Sequence, residues 1–269
     1  MIKTTVCFPF EKRNVNYIDF IWHGYSAHEH LTSITLPYVK HEVIFNFGDQ
    51  FSMNNQADKA VTFISGLAKK PLQTAISGKY HTLGLMLNPT TFYQRFGIPL
   101  TVFEKYNEDL TSVIGKDIEA LYERINNEIL SENKIAIVKD FFSARHFKKE
   151  IPHAVRNFVT DTDTEYMQKG FVKNAAKKSG ISSKHLINTF KNIYGCTPYH
   201  YVQLLHFNKA LKELAENKNT RDYMSSFYDQ SHFSRLFKQC SGLTTKDYQT
   251  AVFENRVSKT FAGTILHPG

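Results

Sequence analysis

Apolar residues recur at helical spacing in two stretches near the C-terminal end of the chain. In the stretch 227–238, Phe233, Leu236 and Phe237 lie at positions i, i+3 and i+4. This spacing places their side chains along one side of an α-helix, and short polar and long cationic side chains occupy the opposite side. The stretch 180–191 is a weaker copy. Both stretches predict a helix that packs by its apolar side and presents a polar side outward.

The two stretches belong to an internal repeat with an offset of 47 residues. When residues 179–201 are placed on residues 226–248, seven positions are identical, among them Phe190 with Phe237. These two phenylalanines are the predicted buried anchors of their helices. The repeat predicts two structurally equivalent helix–turn–helix units.

Polar and glycine residues stand where such units need them. Ser182 and Asp229 are side-chain acceptors placed to cap the second helix of each unit at its N-terminal end. Gly195 and Gly242 stand where a left-handed residue ends that helix. The apolar pattern of residues 199–214 predicts one long helix that joins the two units.

Residues 17–87 show a different pattern, in which short apolar runs alternate with turn residues. The runs 38–47, 60–64 and 82–87 are rich in β-branched and aromatic residues, which is typical of strands. This pattern favours an antiparallel β-barrel or sandwich of the cupin-like kind for residues 1–110. A barrel of this kind can hold a small ligand in its mouth.

The middle of the chain, residues 111–164, predicts a helical connector, because its apolar residues keep helical spacing in three segments. The apolar faces of these helices fit either packing on the barrel or dimerisation. Residues 160–164 are polar and predict a domain boundary near residue 164. An all-α domain with two helix–turn–helix units would then cover residues 165–255, and residues 256–269 would form a tail. The predicted fold class is therefore α+β.

The net charge is concentrated in the C-terminal part of the chain. Residues 1–164 contain 18 basic and 18 acidic residues, whereas residues 165–269 contain 15 basic and 7 acidic residues, so the whole net charge of +8 lies in this second part. This asymmetry is expected of a domain that contacts phosphates. A basic surface without a nucleic-acid partner is the alternative.

The cysteines and histidines predict no metal site. Cys7, Cys196 and Cys240 lack metal-ligand spacing and are expected to be reduced, the last two as small core residues. His28 and His30 would share one side of a strand, a spacing that a metal site can use. A cupin-type metal enzyme would need an acid a few residues later, and the sequence lacks one. We therefore expect these histidines to be exposed or hydrogen-bonded.

The repeat resembles the DNA-binding domain of the AraC/XylS family over residues 170–249. Its second copy, FYDQSHFSRLFK at 227–238, with Gly-Leu-Thr at 242–244 and Tyr248 beyond, is specific to that pattern. The segments 63–71 and 96–100 are similar to the β-rich effector domain that precedes many AraC-type regulators. In that family the two units enter successive segments of the major groove, about 34 Å apart on one face of DNA.

The resemblance implies contacts to base edges or phosphates from both units. The implied residues are Ser183, Lys184, His185, Ile187, Asn188 and Lys191 in the first unit, and Gln230, Ser231, His232, Ser234, Arg235 and Lys238 in the second. By side-chain chemistry, Arg235 suits guanine and Gln230 suits adenine. Lys191 and Lys238 suit phosphates, and Ile187 suits either a thymine methyl group or the protein core.

The predicted function is that of a sequence-specific transcriptional regulator with double-stranded DNA as its partner. A small-molecule effector or oligomerisation would control it through the N-terminal domain, and RNA polymerase and a homodimer are the further partners considered. The alternative is a degenerate scaffold that acts through protein–protein contacts, because residues 221–226 are shorter than the family's usual helix. We expect a cytoplasmic protein without a membrane span, catalytic residues or cofactor.

Overall fold

The computed structural model describes residues 3–7, 18–54, 56–57, 61–65, 70–103, 108–143, 148–162, 170–216, 230–257 and 264–268. Within these residues nine strands form one antiparallel sheet: β1 (Lys3–Cys7), β2 (Ile18–Thr35), β3 (His41–Asn46), β4 (Phe51–Met53), β5 (Gln56–Ala57), β6 (Thr62–Ser65), β7 (Leu72–Leu87), β8 (Glu108–Asp109) and β9 (Thr264–Pro268).

The described helices follow the main strands. They are α1 (Thr90–Phe96), α2 (Leu110–Ile114), α3 (Lys116–Asn126), α4 (Ser131–Ser143), α5 (His153–Thr162), α6 (Phe171–Lys178), α7 (Ser183–Tyr194), α8 (Pro198–Ala215), α9 (Gln230–Ser241) and α10 (Thr245–Phe253), with a short 3₁₀ helix at Leu100–Val102. A sheet-rich N-terminal part and a helical C-terminal part confirm the predicted α+β class.

Two long strands, β2 and β7, form the centre of the sheet and pair along nearly their whole length. A register shift between Ser26 and Glu29 divides β2 into two halves. Strand β1 flanks the first half and β9 flanks the second, while β3 and β4 flank the corresponding parts of β7. Apolar residues from the two parts, including Ile44, Phe51 and Phe63, pack together. This is an antiparallel, sheet-rich domain, as the pattern of short apolar runs predicts.

Helices α1–α4 cover one face of the sheet, the face opposite to the one that carries Ile44. Side chains alternate between the faces of a strand, so Val43, Phe45 and Leu85 point towards these helices. There they form one core with residues such as Leu121 and Val138. The helices predicted as a connector therefore pack on the sheet up to the end of α4.

Helix α5 belongs to a different core. Its Phe158 ring lies 5.2 Å from the ring of Phe190 in α7, and Val155 is buried in the same cluster of C-terminal helices. Residues 160–162, predicted as part of a linker, are instead the last turn of α5. Residues 163 and 164 lie outside the described residues, so the predicted boundary near residue 164 stays a prediction.

The predicted tail contains a strand. Residues Thr264–Pro268 form β9, which pairs antiparallel with Leu31–Thr35 of β2, and Ile265 is buried among the C-terminal helices. A sequence pattern cannot reveal this pairing, because its partner lies more than 200 residues earlier in the chain.

The cysteines predicted as core residues and the helices' apolarity can both be compared with the structure. Cys196 and Cys240 are buried among the helices, which confirms them as core residues, whereas the side chain of Cys7 lies outside the described part. Among the residues that the structure describes, no helix combines the length and apolarity that crossing a membrane requires.

Candidate nucleic-acid interface

The first helix pair consists of α6 and α7. Gly180 makes the turn between them with a φ of 67°, and Ile181 N donates to Ala176 O at 3.0 Å. The side chain of Ser182 accepts from His185 N at 3.1 Å, which confirms the predicted cap. Gly195 ends α7 in the left-handed conformation.

The buried side of α7 is organised around Phe190. Its ring is fully buried, stacks on Tyr194 at a centroid distance of 4.3 Å and meets the edge of Tyr201 at 5.3 Å. Tyr201 lies on α8 and Phe158 on α5, so one aromatic ring joins three helices. Because the apolar side of α7 is fully used in this packing, its orientation is fixed and the opposite side faces solvent.

The exposed side of α7 carries the first predicted set. Lys184, His185, Asn188 and Lys191 are exposed, and the side chain of Ile187 is half-buried. Ser183, the first residue of the helix, is also half-buried. The exposed members provide two lysine side chains and two further hydrogen-bonding groups, His185 and Asn188, on one ridge. Such a ridge has the donors that base edges and phosphates accept in the major groove.

The buried side of α9 has an equivalent organisation. Phe237 is fully buried, and its ring centroid lies 5.4 Å from that of Phe207 on α8 and 5.9 Å from that of Tyr248 on α10. Gly242 follows α9 with a φ of 72°, and its backbone N–H donates to Lys238 O at 2.8 Å. The roles predicted for Phe237 and Gly242 are therefore confirmed.

The exposed side of α9 carries the second predicted set. Its exposed members are Gln230, Ser231, Ser234, Arg235 and Lys238, and His232 is half-buried. Arg235 Nε donates to Ser231 O at 3.3 Å, so its guanidinium lies along the exposed surface of the helix. After their predicted role, we call α7 and α9 the first and second reader helices.

The segment that precedes the second reader helix in sequence, residues 217–229, lies outside the described residues. The predicted short segment 221–226 and the predicted cap Asp229 are both there and stay predictions. The following helix, α10, begins with a capping box in which Thr244 and Asp247 exchange hydrogen bonds.

Helix α8 joins the two units, as predicted. It runs from Pro198 to Ala215 and is capped by Thr197, whose side chain accepts from His200 N at 3.2 Å. Both units pack on it: Phe190 of the first unit contacts Tyr201 of α8, and Phe237 of the second contacts Phe207. The two reader helices thus pack on different turns of one helix.

The stretch of sequence that forms these helices matches a known family. The family model described as "Helix-turn-helix domain" matches residues 175–251, which extend from α6 to α10 and include both reader helices. The C-terminal part of this chain is an AraC-type helix–turn–helix domain. Ahead of it, residues 15–109 match a domain of unknown function (DUF6597). No curated protein matches the sequence.

Solved structures show likenesses at low sequence identity. A crystal structure of ToxT from Vibrio cholerae has 10% identity and a TM-score of 0.45, covering 93% of this chain and 98% of that chain. A structure of ToxT from Vibrio cholerae with a bound unsaturated fatty acid has 8% identity and a TM-score of 0.43, covering 92% and 94%. The AraC-like transcriptional activator CuxR has 12% identity and a TM-score of 0.23, covering 77% and 81%. The assignment of the AraC-type domain rests on the family match, which includes the helix pair α6–α7 and the equivalent helix α9.

The N-terminal domain contains a polar cluster that the sequence did not reveal. Trp22 Nε1 donates to Glu42 Oε1 at 3.0 Å, and burial raises the pKa of the Glu42 carboxyl to about 6. Burial, and then the nearby Glu42, raise the pKa of the Tyr80 hydroxyl. Gly84 makes room for the indole, since a Cβ there would lie 2.3 Å from Trp22.

The sequence also did not reveal a histidine pair, His23 and His81, which lies on the face of β2 and β7 opposite to Trp22 and Tyr80. His81 Nε2 lies 3.0 Å from His23 Nε2, and His23 Nδ1 lies 2.7 Å from Ser131 Oγ, so the pair connects the sheet to the start of α4. These residues are 58 and 108 positions apart in sequence, which hides the pairing from a spacing argument. The described residues contain no group of three or more metal-ligating side chains placed to hold an ion.

We expect this pair to make folding sensitive to acid. Burial, and then His23, Lys134 and Lys79, lower the pKa of His81 from 6.5 to about 4. Below pH 6.5 the unfolded chain therefore binds a proton that the folded chain does not, and stability falls as the pH drops towards 4. The substitution His81→Gln should make the melting temperature less dependent on pH between these values.

Thermal unfolding followed by circular dichroism at several pH values measures this effect. His153→Gln is a matched control, because His153 is exposed on α5. Equal pH dependence in the wild type and His81→Gln would show that the His23–His81 pair does not govern the acid sensitivity.

Proposed function

We propose that this protein is a sequence-specific DNA-binding transcriptional regulator that uses both reader helices. The observation that carries this proposal is that α7 and α9 bury equivalent aromatic sides and expose equivalent polar, cationic sides, while α8 holds them as one unit. Two such ridges fit two neighbouring segments of the major groove on one face of DNA. The AraC-type domain is a DNA-binding class and not an enzyme class.

The distribution of charge supports the same function. All of the net positive charge lies in residues 165–269, the part that contains both reader helices. Lys191 and Lys238 occupy equivalent exposed positions on them, suited to hold phosphates and fix the register. Arg235 and Gln230, also exposed, have the donor and acceptor geometry that distinguishes guanine and adenine.

Selection of bound DNA from random duplexes tests the proposed function. The expected result is a motif with two elements about 10 base pairs apart, the distance between major-groove segments on one face. Recovery of unrelated sequences, or of a single short element, would contradict the use of both reader helices.

We expect binding to depend steeply on salt, because phosphate contacts release counterions. Lys238→Ala should weaken binding to all sequences alike and make the slope of log affinity against log salt about one unit shallower. Fluorescence anisotropy with a labelled duplex at several salt concentrations measures this slope. Lys116→Ala, which removes an exposed charge from the N-terminal domain, should leave the slope unchanged.

A protein-interaction scaffold is the competing function, favoured by the short segment 221–226. Such a scaffold needs no phosphate contacts, so its association with duplex DNA would be weak and nearly independent of which lysine is removed. The slope measured with Lys238→Ala therefore distinguishes the two functions.

We also propose that a small molecule or oligomerisation acts through the N-terminal domain. The cluster of Trp22, Glu42 and Tyr80 supports a ligand site, because it combines aromatic faces with a carboxyl group in the domain interior. Mass spectrometry of the small molecules released when the purified protein is denatured tests for such a ligand. RNA polymerase as a partner, a homodimer and a cytoplasmic location stay predictions.

A further inference from the structure

The N-terminal domain contacts the AraC-type domain at the helix that joins the two readers and at the end of each reader. These contacts come from separate parts of the chain: the loop between β2 and β3, the 3₁₀ helix, and the segment before β7. The N-terminal domain therefore lies near the AraC-type domain at three separate places.

The contact at the joining helix is made by Asn208 of α8. Its Oδ1 accepts from the backbone N–H of Val39 at 3.0 Å, and its Nδ2 donates to Pro37 O at 2.8 Å. One side-chain amide thus satisfies a donor and an acceptor of the β2–β3 loop. Only an asparagine-like group of this length can make both bonds, because leucine has neither function and aspartate would present oxygen to an oxygen.

Apolar packing and strand pairing near Asn208 add to this contact. Leu36 and Val39, on either side of the hydrogen-bonded carbonyl, are buried in the core of the C-terminal helices. Ile265 of β9 is buried in the same core, while β9 itself pairs with Leu31–Thr35 just before the loop. The end of β2 is thereby tied to the AraC-type domain through hydrogen bonds, apolar packing and an added strand.

The reader helices meet the N-terminal domain at equivalent residues. A Cβ at Gly195, which ends the first reader, would lie 3.4 Å from the Cβ of Leu100 in the 3₁₀ helix. A Cβ at Gly242, which ends the second reader, would lie 3.9 Å from Cγ of Pro71. The C-terminal ends of both reader helices therefore lie close to the N-terminal domain.

We infer that the N-terminal domain sets the distance and angle between the two reader helices, with Asn208 as the positioning residue. The inference rests on the proposed function, since the spacing of the readers matters only if both enter DNA. A ligand or partner that shifts the end of β2 would change the reader spacing through Asn208, and so select which DNA spacing is bound.

The test measures the distance between the readers directly in the full chain. Spin labels are attached to a genetically encoded ketone-bearing residue at Asn192 and Gln239, which are exposed and equivalent in the two units. This chemistry avoids the native cysteines. Double electron–electron resonance is expected to give one narrow distance distribution for the otherwise unchanged chain. In Asn208→Leu the distribution should become about twofold broader, because the helices sample further arrangements.

Hydrogen exchange of the Val39 amide shows whether the contact is broken, since losing its acceptor should speed exchange. Faster exchange at Val39 with an unchanged distance distribution overturns the inference. Asn174→Leu is the matched control, because Asn174 is exposed on α6 and should alter neither measurement. If Asn208→Leu does not fold, Asn208→Ala removes the same two hydrogen bonds without adding a branched side chain. The distance measurement contains no DNA, so failure to select a DNA motif would overturn the proposed function alone.

Discussion

Phe237→Ala is expected to lower the free energy of unfolding by about 3–5 kcal/mol, the usual loss when a large aromatic residue is removed from a packed core. The ring is fully buried and touches Phe233 on its own helix, Phe207 on α8 and Tyr248 on α10. Its removal leaves a cavity where three helices meet. Urea unfolding followed by circular dichroism measures the change.

Phe253→Ala provides the matched control for this substitution. The side chain of Phe253, at the end of α10, is 87% exposed, so its loss should change the free energy of unfolding by less than about 0.5 kcal/mol. If Phe237→Ala and Phe253→Ala had similar small effects, the aromatic cluster would not be what holds the second reader helix in place.

Arg235→Ala is expected to reduce affinity for the selected DNA motif by about 1–3 kcal/mol and to relax specificity at one base pair. The guanidinium lies on the exposed side of the second reader, where a bidentate contact with guanine is possible. Affinities for the motif and for its single-base variants, measured at one salt concentration, give both quantities. An equal loss on every duplex would show that Arg235 contacts phosphate instead.

Arg235→Lys separates the two roles of this side chain. Lysine keeps the positive charge but lacks the planar fork that pairs with two acceptors. The variant should therefore keep the salt dependence of the wild type while losing discrimination at the same base pair. A variant with unchanged discrimination would contradict bidentate recognition by Arg235.

Local patterns predicted the C-terminal part well, because each signal concerns residues that are close in sequence. The helical spacing of Phe233, Leu236 and Phe237 is sufficient to identify the apolar side of α9. Ser182 caps a helix that begins at the next residue, and Gly195 ends the same helix. The exposed positions on both readers then follow from helical geometry, while their contacts with DNA stay predictions.

Patterns predicted the N-terminal part only in outline. Short apolar runs identified strands at 38–47 and 82–87, but β7 begins at Leu72 and β2 extends over 18 residues. The polar middle parts of these strands lack the alternation of apolar residues that would reveal them. Their extended conformation is stabilised by pairing with each other along nearly their whole length, across the sequence between them.

The sequence alone determined the repeat, the two reader helices, their buried aromatic anchors and the location of the positive charge. Tertiary structure alone decided that β9 joins the N-terminal sheet, that His23 meets His81, and that Asn208 binds the loop at Val39. The physical reason is range: helix formation and capping depend on residues within one or two turns, whereas strand pairing and domain contacts join residues that only folding brings together.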